Sequence, residues 1–379
     1  MKSATISNGV SNSEKDSLTI LLLIKDRPQF TFRWMEYSNS IRFPFKILVA
    51  DGGKEELVPA RLSQVQNYSE LNYTYIKYPY DQTRQIFTSK IIDALSRIET
   101  PFVSIANDDD FFMVNGLTQA VRFLQKNPEY RTCAGSLVTF SIMPNTNSTY
   151  GSDVKFSLVP SHGSLEQDLS MDRVERQFSK YEGTYYDVHR TEDLKRYFER
   201  LLELDIKTGI LAELVTSFLT VADGKVKREP YLFLLRQSNP LNSQHLKEMK
   251  MYGDHFDRML SEYWSSDFTG FVCAIAEVIV KQDPGLSFEK TKILVRKGYR
   301  RFIAPAVIGC LNGEIKSEYT KQKQTSQLGI MQKSIKIYRK YKLSKRNDNN
   351  AIERGSHFHK DCEPIRDFLI KKTWKVSPE

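Results

Sequence analysis

Leu18-Thr-Ile-Leu-Leu-Leu-Ile24 is a nearly unbroken apolar run, the pattern of a strand buried on both faces of a parallel sheet. It breaks at Lys25-Asp26-Arg27-Pro28, and proline suits the first turn of a helix. Phe30, Trp34, Tyr37 and Ile41 then recur at helical spacing. A second strand, Phe45 to Ala50, ends at Asp51-Gly52-Gly53, and a third, Tyr73 to Tyr78, ends at a proline. Phe87, Ile91, Leu95 and Ile98 place one face of a helix over residues 83–98. The fourth strand, Phe102 to Ala106, runs into Asp108-Asp109-Asp110. Leu117, Ala120, Val121 and Leu124 mark the next helix, stopped near Asn127-Pro128. Strand and helix alternating in this way predict a doubly wound α/β sheet, mostly parallel and flanked by helices.

After residue 130 the order loosens. Cys133 to Ile142 reads as a strand, Asn145 to Ser164 as a polar loop, and Tyr181 to Arg190 as a tyrosine-rich strand. Leu211, Leu214, Val215, Phe218 and Leu219 form a helical stripe closed by Asp223-Gly224, where glycine fits the position after a helix. Tyr231 to Leu235 is a further strand that ends at Arg236. Beyond Asn239-Pro240 the chain reads as helical and then basic. Residues 1–16 read as a disordered lead, 17–240 as the α/β domain, 241–346 as a helical basic extension and 347–379 as a polar tail.

The 379 residues suffice for one large domain or two ordinary ones, and 40% hydrophobic with 27% charged is ordinary for a globular protein. No apolar run approaches the roughly 18 residues that span a bilayer. The longest candidate, Gly270 to Val280, contains Glu277. The four cysteines form no CxxC or Cys/His cluster, so reduced thiols, a cytoplasmic setting and no structural zinc are expected. The net charge of +9 is uneven: Lys290 to Arg346 carries 16 Lys/Arg against two acids. Within that stretch Met331, Ile335 and Tyr338 oppose a lysine-rich face, which suits an interfacial helix at the inner, anionic face of a membrane.

The chemistry centres on the three aspartates. Two like charges at about 4 Å repel by roughly 1 kcal/mol even in water, so a cation is expected among them. Hard divalent ions take carboxylate oxygens and keep phosphate oxygens as further ligands. If the strand ran on, Asp108 and Asp110 would point the same way. Acids at the carboxyl end of a strand sit where α/β sheets bind ligands. A solvated turn or helix cap is the plainer alternative.

Taken in order, these pieces resemble a GT-A glycosyltransferase of the inverting family 2 type, in the branch with an Asp-Asp-Asp-Phe signature. The resemblance covers residues 17–240 and rests on three pieces: Asp26-Arg27-Pro28 after the first strand, Val49-Ala-Asp51-Gly-Gly, and Pro101 to Asp110. It implies a nucleotide-sugar donor, UDP-linked by expectation, bound by Asp26, Asp51, Lys90, Asp108, Asp109 and Arg236. It implies a divalent cation, Mn2+ or Mg2+, at Asp108 and Asp110, bridging the two phosphates. Asp51 would meet the nucleobase, unless it only makes an Asx turn before Gly52-Gly53. Arg236 would grip the diphosphate with two parallel hydrogen bonds. Glu213, eleven residues before Gly224, stands where the family has its acidic general base, although that residue is usually Asp. It interrupts the apolar stripe, so a partly dry cleft is expected around it, where a carboxylate can take a hydroxyl proton. His189 and Arg190 would flank the acceptor, a glycan or lipid-linked glycan.

Two other readings use the same features. A nucleotidyltransferase also pairs a doubly wound sheet with acids, but it opens with a Gly-rich loop that Lys25-Asp26-Arg27-Pro28 lacks. A nucleic-acid-binding protein would use the basic C-terminal third. It leaves the triple Asp unexplained, and no zinc-finger or aromatic RNP pattern is present. No nucleic-acid partner is therefore expected.

Overall fold

The structure is a computed structural model that describes residues 10–145, 147–238, 255–312, 352 and 357–371. β1 (Leu18–Ile24) is the hub. It pairs in parallel with β2 (Lys46–Asp51) on one side and β4 (Phe102–Asn107) on the other, and β2 pairs in parallel with β3 (Tyr73–Lys77). Helices α2 (Pro28–Ser40), α3 (Leu57–Leu62) and α4 (Arg84–Ser96) make the connections, with α2 beginning at the proline singled out above. The sheet then turns mixed. β8 (Val188–Arg190) runs antiparallel between β4 and β6 (Tyr130–Met143), and β6 pairs in parallel with β9 (Lys225–Gln237). β5 (Phe111–Phe112) caps β9, and β7 (Asp153–Val159) lies on β6. The described residues thus form a nine-stranded sheet in the order β3-β2-β1-β4-β8-β6-β9-β5, with β7 off that path. This is the α/β class expected.

The continuous run of β1 is explained by its two faces. Leu18, Ile20, Leu22 and Ile24 join a core with α2, α3 and α5 (Val114–Lys126). Leu21 and Leu23 join the other, built with α4, α6 (Ser170–Ser179), α7 (Thr191–Glu203) and α8 (Gly209–Asp223). That second core does not stop at residue 240. After α9 (His255–Met259), helices α10 (Trp264–Gln282) and α11 (Phe288–Leu311) bury Phe271, Ile275, Val295 and Tyr299 in it.

Several expectations are corrected. The lead is ordered at its end: α1 (Asn12–Lys15) is closed by a Ser11/Glu14 capping box, and Glu14 pairs with Arg122. The polar tail contains α12 (His357–Lys371), whose Cys362, Ile365 and Leu369 bury against Phe111, Phe140 and Phe156. The loop at 145–164 contains β7, and the tyrosine-rich strand is irregular up to Asp187. Gly224 follows α8 in extended conformation (φ −174°) and not as a left-handed cap. A Cβ there would meet the Arg131 side chain at 2.7 Å, so close packing is what requires glycine. No helix among the described residues is long and apolar enough to cross a membrane. The interfacial helix expected within 330–341, with the rest of the basic stretch beyond residue 312, lies outside the described residues.

Candidate active site at the carboxyl edge of the sheet

The strand order reverses direction between β1 and β4, where doubly wound sheets open a crevice at their carboxyl ends. Three strand ends meet there: Lys25-Asp26-Arg27 after β1, Asp51-Gly52-Gly53 after β2 and Asp108-Asp109-Asp110 after β4. β4 does not run on through the acids. It closes in a turn in which the Asp110 N–H donates to the Asn107 carbonyl at 3.3 Å, so the side chains diverge. This corrects the expected shared face of Asp108 and Asp110.

Asp108 points towards α2. It accepts from the Arg27 guanidinium on one oxygen and from the Thr31 hydroxyl, at 3.0 Å, on the other. Arg27 also donates to Asp109 at 2.8 Å, so one guanidinium bridges two of the three carboxylates. Burial pushes the Asp108 carboxyl up to about 6, against the pull of Arg27. Asp110 points the other way, towards β9. Its Oδ1 accepts from the Gln237 N–H at 3.0 Å, while its Oδ2 is buried without a hydrogen-bond partner, 4.0 Å from Arg236 Nε. Burial, then the neighbouring Asp109, push Asp110 up to about 7.

These positions test the fit of a divalent cation. Asp108 does not fit, because both its oxygens are taken by Arg27 and Thr31. The repulsion that called for a cation is met on that side by an arginine of the chain itself. Among the described residues no group of three His, Cys, Asp or Glu side chains could hold a metal ion. Asp110 does fit, through the one oxygen that the protein leaves unpaired. Sites of this kind use one or two carboxylates and complete the shell with water and substrate phosphate.

Arg236 leaves β9 with its side chain 53% exposed and its guanidinium 5.3 Å from the Tyr186 ring centre. The Tyr186 hydroxyl accepts from the Asn107 side chain at 2.7 Å, and Tyr185 packs edge-on at 5.0 Å. Glu213 is exposed near the start of α8, which corrects the partly dry setting expected of it. Its charge acts on Tyr181, Tyr185 and Arg236, so it shares this side of the crevice with Asp110.

The other side is tightly paired. Asp51 makes the Asx turn, accepting from the Gly53 N–H at 2.8 Å, and its second oxygen accepts from Tyr75 (2.7 Å) and Lys77 (2.9 Å). Asp26 is exposed and adopts a positive φ of 50°, tolerated by Asp more than by most residues. Its carboxylate accepts from the Lys54 N–H at 2.6 Å. Lys90 is neither a solvated lysine nor free for a phosphate: its side chain is 1% exposed and donates to Asp81 at 2.6 Å. Burial lowers the pKa of Lys90 and raises that of Asp81. Asp81 lies over Gly52, where any Cβ would sit 2.2 Å from its carboxylate, and its backbone carbonyl accepts from Lys25. Lys90→Met would strand the buried Asp81, whose Oδ1 already lacks a partner. Breaking a buried pair in this way is expected to cost about 3–5 kcal/mol in chemical denaturation. A loss below about 1 kcal/mol would show that the native state holds Asp81 neutral.

His189 and Arg190 are placed in structural roles in place of the acceptor contact expected of them. His189 is buried, its ring 2.6 Å from the Thr184 carbonyl, and burial lowers its pKa to about 4. Arg190 donates to the carbonyls of Leu124, Asn127 and Tyr130, across the connection from α5 to β6. Sequence reasoning missed Thr31, Asp81, Arg33 and Gln237. Arg33 carried a legible signal, since it falls three residues after Phe30 on the inner face of α2.

No protein-family model matches the chain, and no curated protein matches it. Among solved structures it is similar to S. aureus TarS 1–349 in complex with UDP, at 16% identity over 81% of this chain and 77% of that one, with a TM-score of 0.46. The complex with UDP-GlcNAc gives 14% identity, 81% and 78% coverage and a TM-score of 0.47. Identities of this size attach no residue of TarS to a residue of this chain.

Proposed function

We propose that the chain is a glycosyltransferase that moves a sugar from a nucleotide-sugar donor to a glycan or lipid-linked glycan, with UDP as the nucleotide implied by the sequence resemblance. The observation that carries this reading is the acid turn after β4, at the switch point of the sheet. There a buried carboxylate keeps one oxygen unpaired beside a half-exposed arginine. A divalent cation held by Asp110 would neutralise charge that develops on the departing diphosphate. Arg236, half-exposed beside that oxygen, takes the same diphosphate with its forked donors. Arg27 and Thr31 hold Asp108, and through it the acid turn, against α2. Asp51, fixed by Tyr75 and Lys77, presents an ordered edge to the nucleobase.

Glu213 takes the proton of the acceptor hydroxyl. The acceptor oxygen bonds to the anomeric carbon as the bond from that carbon to the diphosphate oxygen breaks, and its electron pair leaves with the nucleoside diphosphate. An exposed base suits this step, because the acceptor must reach it from solvent. The outer face of α11 adds a basic, partly apolar surface of Ile293, Lys297, Arg300, Arg301 and Ile308, which suits contact with an anionic membrane that holds a lipid-linked acceptor.

Nucleotide release over a panel of nucleotide sugars, with Mn2+ and with EDTA, tests the reading. One donor class should give turnover that EDTA removes and Mn2+ restores. Thermal shift with UDP, GDP and CMP is the simpler companion, since a ligand of the folded state raises Tm. Full turnover in EDTA would remove the cation and leave the arginines to hold the diphosphate. No turnover with any donor and no shift with any nucleotide would sink the reading.

A further inference from the structure

We infer that Arg33 and Gln237 are positioning residues that set Asp109 and Asp110 for the donor, an inference that rests on the glycosyltransferase reading. Arg33 is fully buried on α2, its guanidinium between the rings of Phe30 (4.9 Å) and Phe111 (5.0 Å). Such a placement is unfavourable for a charge, and burial pulls its pKa down to about 10. The site that accounts for it is the acid turn. Arg33 Nη2 donates to the Asp109 carbonyl at 3.0 Å, and Nη1 donates to Gln237 Oε1 at 2.7 Å and to the Thr149 carbonyl at 3.1 Å. Gln237 completes the bridge. Its backbone N–H donates to Asp110 Oδ1, and its side-chain amide donates to the Ser148 carbonyl at 3.0 Å.

These bonds fix one oxygen of Asp110 and turn the other, unpaired one towards Arg236. The acid turn is therefore held from behind by a buried network. Its anchor is distant in sequence. The Gly151 N–H donates to the Leu369 carbonyl of α12 at 3.2 Å, and Tyr150 packs against Phe368 at 6.0 Å. Phe368 also packs on Tyr37 of α2 at 5.2 Å, and Tyr37 packs on Phe111 at 5.0 Å. The C-terminal helix thus braces both the 148–151 segment that supplies the carbonyls and the helix that carries Arg33. Thr149 and Ser148 reach the acid turn through Arg33 and Gln237, to which their carbonyls are bonded.

Gln237→Met keeps the length of the side chain and removes its amide bonds with Arg33 and Ser148, leaving the backbone donor to Asp110 in place. Misplacing a reacting group by about 1 Å can cost about 10²-fold, so kcat/KM should fall by about 10–10²-fold while the protein stays folded at the assay temperature. UDP affinity in the presence of Mn2+, measured by calorimetry on folded protein, should fall by about 10-fold, a readout that a purely structural role would leave unchanged. Arg33→Met should lose more, and Arg33→Lys, which keeps the charge and part of the donor set, should recover part of the loss. If Arg33→Met fails to fold, Gln237→Met and Arg33→Lys carry the test. Wild-type affinity and kcat/KM in folded Gln237→Met and Arg33→Lys would overturn the inference. If the wild-type protein itself binds no nucleotide, the donor reading falls and takes this one with it.

Discussion

Asp110→Asn is expected to abolish transfer and, above pH 7, to give a more stable protein. Asparagine keeps the shape of the residue and an oxygen that can accept from the Gln237 N–H. It lacks the charge that would hold a cation or offset Arg236, so turnover should fall by about 10²–10³-fold, the range for losing one preorganised electrostatic group. The stability gain follows from proton linkage. Burial and Asp109 hold the Asp110 carboxyl up at about 7, whereas an unfolded Asp titrates near about 3.9. Between those values the native state binds more protons than the unfolded one, so stability is fully present below about pH 4 and is lost as pH rises through about 7. The Asn variant has no such loss. Its Tm, measured in EDTA, should match the wild type near pH 4 and exceed it at pH 8. A variant less stable than wild type at pH 8 would mean that Arg236 stabilises the charged form by more than burial opposes it. A variant with wild-type turnover would remove Asp110 from the chemistry.

This trade of stability for a poised carboxylate explains which parts of the site were legible in the sequence. The strands that deliver it were clear because both their faces are buried. β1 reads as seven apolar-rich positions in a row, and β2 and β4 end where their apolar runs meet Asp51 and Asp108. The acid turn was legible as charge without a partner. The identity of the partner was not, because Arg27 lies about 80 residues away in sequence and the contact depends on how α2 leaves the sheet. The same holds for Lys90, whose counter-ion Asp81 lies beyond the end of β3 and over Gly52. Helix α12 was hidden by its flanks: Cys362, Ile365, Phe368 and Leu369 are spaced for a helix but sit among polar neighbours, and Pro364 lies within it. His189 shows the reverse error, since the family resemblance implied an acceptor contact and burial makes the residue structural.

Glu213→Gln is the second large effect. A base that deprotonates the acceptor hydroxyl acts in the transition state, so its loss should cut kcat by about 10²–10⁴-fold. Gln keeps the volume and the exposed position on α8, which argues against any change in folding, and Tm should move little. Nucleotide affinity should persist, because Asp110, Arg236 and Asp51 are intact. The neighbouring acids cannot easily substitute. Asp187 is buried and ion-paired with Arg228 at 2.7 Å, and Glu182 pairs with the same guanidinium at 2.8 Å. Burial raises the Asp187 carboxyl to about 6 against the pull of Arg228, and the pairing occupies an oxygen that would take the proton. Near-wild-type kcat in Glu213→Gln would therefore point to one specific alternative, release of Asp187 from Arg228 in the presence of acceptor. Asp187→Asn in the Glu213→Gln background would then cut turnover if Asp187 is the base, and would leave it unchanged if the reaction needs no protein base.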